Sequence, residues 1–144
     1  MNKISHTNLN KWFRSKAQDR LGRDYINESF VAKKTALVVV DMQNYFMKQG
    51  FLAACPMAID IVPSINHMAE QLREKGGVVV WVQTTSSPEA TKGWGIYREL
   101  FSSENWDRRN TELGEDHEGY ALWPELATRE SDLYVKKTRF SAFI

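Results

Sequence analysis

An apolar run that ends in an acid constrains this chain more than any other feature. Residues 36–40 read Ala-Leu-Val-Val-Val and lead directly into Asp41. A continuous apolar run of this length is typical of a strand that is buried on both faces, as in a parallel sheet. Open α/β sheets bind their ligands at the carboxyl ends of the strands. We therefore expect Asp41 to lie at the edge of a ligand site.

The rest of the chain predicts an α/β fold around this strand. Residues 78–83 and 132–137 predict two further strands, and residues 56–75 carry an apolar face at helical spacing. Strand, helix and strand in this order predict a parallel βαβ unit. We also expect short helices near residues 94–101 and 122–127. The fold class is a doubly wound, Rossmann-like parallel sheet with helices on both faces, in three αβα layers.

The predicted domain looks incomplete. A parallel sheet needs cover on both faces and normally has more than three strands. We therefore expect this sequence to be the front part of a larger domain, which begins at residue 35 and runs through residue 144. Residues 1–34 are expected to form a separate helical extension.

The N-terminal extension is basic, with eight lysines or arginines against three acids in residues 1–34. Residues 7–24 predict an amphipathic helix. Such a helix is either an arm for nucleic acid or membrane, or an element that packs on the domain or on a second subunit. We favour the second alternative because so short a basic stretch is a weak signal. A homo-oligomer is therefore expected, without a nucleic-acid or membrane partner.

Overall composition points to an ordinary globular protein. The formal net charge is +1, so no global field favours nucleic acid or membrane. A single cysteine excludes an internal disulfide and favours a reducing, cytoplasmic location. No apolar run approaches the length of a membrane span.

Asp41 and Lys137 are the strongest candidates for chemistry. Each ends a predicted strand, and adjacent parallel strands would bring both side chains into one crevice. A lysine there offers a cation to a developing anion. The alternative is a structural ion pair at the edge of the sheet, and the spacing alone does not separate the two interpretations.

Two motifs resemble the isochorismatase-like cysteine hydrolase family. They are Asp41-Met-Gln-Asn-Tyr-Phe46 and Lys137-Thr-Arg-Phe-Ser-Ala-Phe143, and the resemblance covers residues 35–143. It implies a triad of Asp41, Lys137 and a cysteine nucleophile, which would lie about one βα unit beyond the end of this chain. Cys55 precedes a helix-starting proline in the first βα connection, outside the family's nucleophile position, and we expect it to be structural.

The resemblance implies cleavage of a C–N bond in a small amide or an N-carbamoyl or ureido compound. A second branch of the family hydrolyses a vinyl ether without the cysteine, and Gln83 resembles the glutamine that positions its substrate. The third alternative is a non-enzymatic truncated fragment. The residue that would separate the two branches lies beyond Ile144.

Several further residues are candidates for the substrate pocket. Gln43 and Phe46 fall within the first motif and are expected to contact the substrate. Trp94, together with Tyr97 and Trp106, would wall the pocket, and Arg108 or Arg109 would anchor a carboxylate. The alternative is that these aromatic residues pack a lid and that the arginines pair with its acids.

No metal or other cofactor is expected. The three histidines, His6, His67 and His117, are scattered along the chain, whereas a transition-metal site needs clustered ligands. The nicotinamidases of this superfamily carry an Asp-x-His after the second strand. Here the corresponding residues 83–88 read Gln-Thr-Thr-Ser-Ser-Pro, so we disfavour that activity.

Overall fold

The computed structural model describes residues 6–25, 27 and 29–143. Parts of the predicted extension, residues 1–5, 26 and 28, lie outside the described residues. The chain divides into two compact units, Met1–Val31 and Ala32–Ile144. In the first unit, helix α1 spans His6–Leu21 and ends at Gly22, which has a φ of +66°. Among the described residues, no helix combines the length and the apolar character needed to cross a membrane.

The second unit contains a three-stranded sheet and several helices. Its strands are β1 (Ala36–Val40), β2 (Val78–Thr84) and β3 (Leu133–Lys137). Its α-helices are α2 (Asn44–Met47), α3 (Val62–Glu74), α4 (Pro88–Thr91), α5 (Gly95–Arg98) and α6 (Ser103–Glu112). Two 3₁₀ segments, Ala32–Lys34 and Pro56–Ile61, precede β1 and α3.

The three strands are parallel, and β2 lies between β1 and β3. The predicted α/β class with a parallel sheet is confirmed. The expectation that the strands of Asp41 and Lys137 are adjacent is wrong, because β2 separates them. In the register of β2 and β3, Thr84 is the partner of Lys137. The end of β2 therefore enters the site between the two charged residues.

Prolines account for two differences from the predicted helices. The helix expected at residues 56–75 is divided, since α3 begins only at Val62 and carries Pro63 in its first turn. Proline there has no N–H and its ring excludes a preceding α-helical turn. No helix forms at residues 122–127. Trp123 precedes Pro124, which disfavours the helical conformation, and its N–H donates instead to the Met42 carbonyl at 2.9 Å.

The two faces of the sheet differ in how far other elements bury them. Helix α3 contacts β1 and β2, and its Ala69 is buried in one core with Val39, Val79 and Trp81. Alternation along the strands places a second apolar set on the opposite face. Four members of that set, Val38, Val40, Val78 and Leu133, are 41% to 55% exposed, whereas Val82 on the same face is 2% exposed. The Val-rich runs predicted cover on both faces, whereas in Ala32–Ile144 the described residues leave much of this second face open.

Asp132, at the start of β3, forms a buried ion pair with Arg73 of α3. Its carboxylate accepts hydrogen bonds from Arg73 Nε at 2.9 Å, Arg73 Nη2 at 2.5 Å and Trp81 Nε1 at 2.8 Å. The backbone N–H of Arg129 donates to it as well, at 2.9 Å. Burial acts to raise the pKa of Asp132, but the hydrogen bonds from Arg73 and Trp81 outweigh it and lower that pKa below 3.8.

Candidate functional site

Asp41 leaves β1 through an unusual backbone conformation. Its φ is +59°, in the left-handed region, which aspartate tolerates better than most residues. Its N–H donates to the Val82 carbonyl at 2.9 Å, so the backbone remains attached to β2. The side chain is 28% exposed. The carboxylate thus lies at the carboxyl edge of the sheet and remains accessible.

Lys137 is the last residue of β3 and is only 7% exposed. Its Nζ lies 2.9 Å from Asp41 Oδ2 and donates to Thr84 Oγ1 at 2.7 Å and to the Arg139 carbonyl at 3.4 Å. The preceding Lys136 is exposed and pairs with Glu115 instead. The structure therefore brings Asp41 and Lys137 together as an ion pair.

Thr84 connects the two members of this pair. Its hydroxyl donates to Asp41 Oδ1 at 2.7 Å while it accepts from Lys137 Nζ. Both carboxylate oxygens of Asp41 are consequently held. The sequence analysis did not identify Thr84, although its position at the end of a strand was a signal that could have found it.

Gln43 is fully buried and pairs with the backbone of Thr84. Its Oε1 accepts from the Thr84 N–H at 2.7 Å, and its Nε2 donates to the carbonyls of Thr84 at 3.0 Å and Tyr120 at 2.8 Å. Gln83 also donates to the Tyr120 carbonyl, at 3.0 Å. Neither glutamine, both expected at the substrate, is among the residues that line the pocket next to the ion pair. The side chain of Gln43 instead hydrogen-bonds the backbone of Thr84 at the end of β2, where β1 has already ended.

A pocket of about 180 Å³ contains Asp41 and Lys137 in its wall. Three residues expected in the pocket, Phe46, Trp94 and Tyr97, line it. Trp106 packs behind them, with its ring centroid 6.3 Å from that of Tyr97. The sequence analysis did not identify three further aromatic residues of the wall, Tyr45, Phe101 and Phe140.

Tyr45 gives the pocket a neutral phenol. Its side chain is 3% exposed, and burial raises its pKa to about 12, although the nearby charge of Arg109 acts in the opposite direction. The phenol therefore stays protonated at neutral pH and remains a hydrogen-bond donor. Tyr45 lies on α2, four residues after Asp41, and both residues line the pocket.

The two arginines considered as carboxylate anchors have different environments. Arg108 forms an ion pair with Glu112 at 2.6 Å and also donates to the Gly50 carbonyl, and it does not line the pocket. Arg109 is 5% exposed and lines the pocket, as does Arg139 of the second motif.

Cys55 does not line this pocket, although its N–H donates to the carbonyl of the pocket residue Phe46 at 2.8 Å. It is exposed and forms no disulfide. Within residues 6–25, 27 and 29–143, no group of three histidine, cysteine, aspartate or glutamate side chains is placed to hold a metal ion.

Comparisons with known proteins place this chain among isochorismatase-like proteins. The family model of the isochorismatase domain matches residues 35–144. A probable inactive nicotinamidase of Arabidopsis thaliana is 33% identical over 113 residues, which are 77% of this chain and 55% of that protein. A ureidoacrylate amidohydrolase of Klebsiella pneumoniae is 27% identical over 128 residues, 80% of this chain and 54% of that protein. The chain thus spans about half the length of the curated relatives it matches.

The solved structures give the same fold. A cysteine hydrolase from Pseudomonas syringae superimposes with a TM-score of 0.69 at 20% identity, over 85% of this chain and 55% of that one. The family model covers most of the chain, and the fold agrees with it. The chain belongs to the isochorismatase family.

Proposed function

We propose that this chain provides the aspartate and lysine of a hydrolase that cleaves a C–N bond in a small amide or an N-carbamoyl or ureido compound. The observation that carries the proposal is the ion pair of Asp41 and Lys137, 2.9 Å apart, in the wall of a small pocket. The similarity to a ureidoacrylate amidohydrolase supports the choice of a ureido or amide bond. We infer that the nucleophile is a cysteine that follows Ile144 in the complete protein.

The proposed reaction needs a base, a nucleophile and a charge partner. Asp41 takes the proton of the cysteine thiol, and the thiolate attacks the carbonyl carbon. The C–N bond then breaks, and Asp41 returns the proton to the departing amine. Water then hydrolyses the acyl-cysteine, which is a thioester from an amide or a thiocarbamate from a ureido compound, and restores the thiol. A ureido substrate thereby releases carbamic acid, which breaks down to ammonia and carbon dioxide.

The surrounding residues have supporting roles in this proposal. Lys137 stabilises the thiolate and holds Asp41 in place. Thr84 fixes the rotamer of Asp41, since it donates to one carboxylate oxygen while Lys137 contacts the other. Gln43 is a positioning residue, because it holds the backbone of Thr84.

A second candidate function is binding without catalysis. The observation that favours it is the similarity to a probable inactive nicotinamidase, together with the exposed position of Cys55 outside the pocket. Vinyl-ether hydrolysis has less support, because the amide of Gln83 is engaged with the Tyr120 carbonyl and does not line the pocket.

Ammonia release from ureidoacrylate and from N-carbamoyl amino acids tests the proposal. The complete protein, with the residues after Ile144, should release ammonia, and the 144-residue chain should not. Hydrolysis by the 144-residue chain would show that the nucleophile is not the cysteine we infer. Inactivity of the complete protein on all these substrates would favour binding without catalysis.

In the complete protein, Asp41→Asn and Lys137→Ala should each lower kcat/KM at least about 10²-fold, because each removes a group that acts in the chemical step. Lys136→Ala is the matched control, since Lys136 is exposed and pairs with Glu115. It should retain the activity of the unchanged protein. Near-normal turnover by either test variant would contradict the roles given to Asp41 and Lys137.

A further inference from the structure

We propose that Arg109 binds the carboxylate of the substrate, so that the pocket selects small anionic amides or ureido acids. This inference rests on the proposed function for the reacting end of the substrate. It adds the protein group that binds the opposite end of the substrate. The inference depends on the guanidinium of Arg109, which is buried in the pocket wall and has no carboxylate partner among the described residues.

Three aromatic rings surround Arg109. Its guanidinium carbon lies 5.5 Å from the ring centroids of Trp94 and Tyr97 and 5.6 Å from that of Trp106. Ring faces stabilise a cation electrostatically without neutralising its charge. The rings thus hold the guanidinium in place next to the pocket and leave its charge available.

Hydrogen bonds fix one end of the Arg109 guanidinium. Nη1 donates to Ser86 Oγ at 3.1 Å and to Asn110 Oδ1 at 3.5 Å. Both acceptors are neutral. Within the described residues, Nε and Nη2 donate to no acceptor. These two nitrogens form the edge of the guanidinium that pairs with a carboxylate in a bidentate contact.

The acids near Arg109 in sequence do not supply its counter-charge. Glu112, one turn further along α6, is 2.6 Å from Arg108 instead. A buried cation without an opposite charge is costly, and a ligand that carries a negative charge reduces that cost. Arg109 is therefore in the condition expected of a ligand-binding cation rather than of a structural ion pair.

The charged side chains of the pocket wall carry a net positive charge. The wall contains three cations, Lys137, Arg109 and Arg139, and one anion, Asp41. Asp41 is already paired with Lys137, so a net positive charge faces the space that a substrate would fill. Arg139 stacks 4.9 Å from the ring centroid of Trp94 and donates to the Ala90 carbonyl at 2.9 Å.

The ligand class follows from the positions of these groups. The small volume of the pocket, about 180 Å³, favours a compact molecule. One end carries a carboxylate for Arg109, and the other carries an amide or carbamoyl group that reaches Asp41 and Lys137. Small ureido acids have this arrangement, whereas neutral amides lack the anion.

Binding measurements on the 144-residue chain test this inference without turnover. The two probes are N-carbamoylglycine, which carries a carboxylate, and N-carbamoylglycinamide, which is neutral and of nearly the same shape. Isothermal titration calorimetry at neutral pH and low salt should show at least about tenfold tighter binding of the acid, as a charge-assisted bidentate contact provides. Equal affinities, or no binding of the acid, would overturn the inference.

Three variants locate the contact. Arg109→Gln should lose the preference for the acid, and Arg109→Lys, which keeps the charge without the fork, should retain part of it. Arg98→Gln is the matched control, because it removes an exposed arginine of α5 outside the pocket wall. Thermal unfolding of each variant shows whether the chain still folds. Retention of the full preference by a folded Arg109→Gln would overturn the inference.

The outcome is separable from that of the proposed function. Preferential binding of the acid through Arg109, with no hydrolysis by the complete protein, leaves the carboxylate contact in place and removes the catalytic role. Hydrolysis of neutral and anionic amides at equal rates supports the reaction and contradicts the contact.

Discussion

At the scale of single residues, Thr84 joins the two charged members of the site. Its hydroxyl makes one hydrogen bond to Asp41 and one to Lys137, each of 2.7 Å, and the residue is 6% exposed. A buried hydroxyl between two charges is difficult to replace, because the loss of either contact leaves a charged group with fewer partners.

We expect Thr84→Val, which keeps the shape and removes the hydroxyl, to lower the free energy of unfolding by about 2 kcal/mol, the range for hydrogen bonds to charged groups. Urea denaturation of the 144-residue chain measures this change. Thr84→Ser keeps the hydroxyl and is the control. A valine variant as stable as the serine variant would show that the bridge contributes nothing to stability.

The sequence predicted the charged residues of the site better than the groups that hold them. Asp41 and Lys137 each stand at the end of a predicted strand, and a pattern of parallel strands places both at one edge of the sheet. Thr84 and Gln43 act through the register of β2 and through backbone hydrogen bonds, which no local pattern encodes. Gln43 was expected at the substrate because of its motif, and the structure places it behind the strand end.

At the scale of secondary-structure elements, a buried ion pair joins α3 to the start of β3. Arg73 and Asp132 have side chains that are 9% and 2% exposed. Removal of one partner from a buried ion pair leaves an uncompensated charge, which is strongly destabilising.

We expect Asp132→Asn to lower the free energy of unfolding at pH 7 by at least about 3 kcal/mol. The pKa of Asp132 is lowered in the folded state, so the ion pair stabilises the protein fully above the ordinary value of 3.8. That stabilisation is lost as the pH falls through the folded-state pKa. The difference in stability between the unchanged chain and the variant should therefore shrink in acid.

Denaturation curves between pH 7 and pH 2.5 measure this difference. Glu130→Gln removes a nearby exposed acid and is the matched control. It should follow the unchanged chain at every pH. A difference between the unchanged chain and Asp132→Asn that stays constant down to pH 2.5 would contradict the role of the ionised carboxylate.

Helix α6 shows why one element was missing from the sequence prediction. Ser102 caps this helix, and its hydroxyl accepts from the Asn105 N–H at 3.2 Å. The buried face contains Trp106 and Arg109, and a charged residue breaks the apolar period on which a prediction depends. Arg109 is buried because two rings of the preceding segment, Trp94 and Tyr97, join Trp106 of α6 around it, and the sequence of α6 alone does not reveal that contact.

At the scale of the whole unit Ala32–Ile144, the sheet has one covered face and one open face. The parallel strands and their order along the chain could be predicted, because Val-rich runs separated by an amphipathic helix are typical of βαβ units. The same runs do not distinguish a covered face from an open one, since both faces carry the same apolar residues.

We expect the folded 144-residue chain to bind the dye anilinonaphthalene sulfonate at neutral pH, because a contiguous apolar surface is exposed. The double variant Val38→Thr, Val40→Thr should reduce the dye fluorescence by at least about half, since these two side chains are 51% and 50% exposed on the open face. Circular dichroism verifies that the variant is folded.

Met57→Thr is the control for the dye measurement. Met57 is 77% exposed but lies in the 3₁₀ segment before α3, outside the sheet. Its variant should leave the fluorescence nearly unchanged. Equal fluorescence from the unchanged chain and the double valine variant would show that the open face is not the binding surface.

The positive φ of Asp41 has a consequence for how this position tolerates change. A left-handed backbone is readily adopted by glycine and, among other residues, best by asparagine and aspartate, while most side chains cost about 1 kcal/mol or more there. Of these three residue types, aspartate alone carries a proton-accepting carboxylate. The backbone conformation and the proposed chemistry therefore restrict position 41 independently. Aspartate is the one residue type that satisfies both requirements.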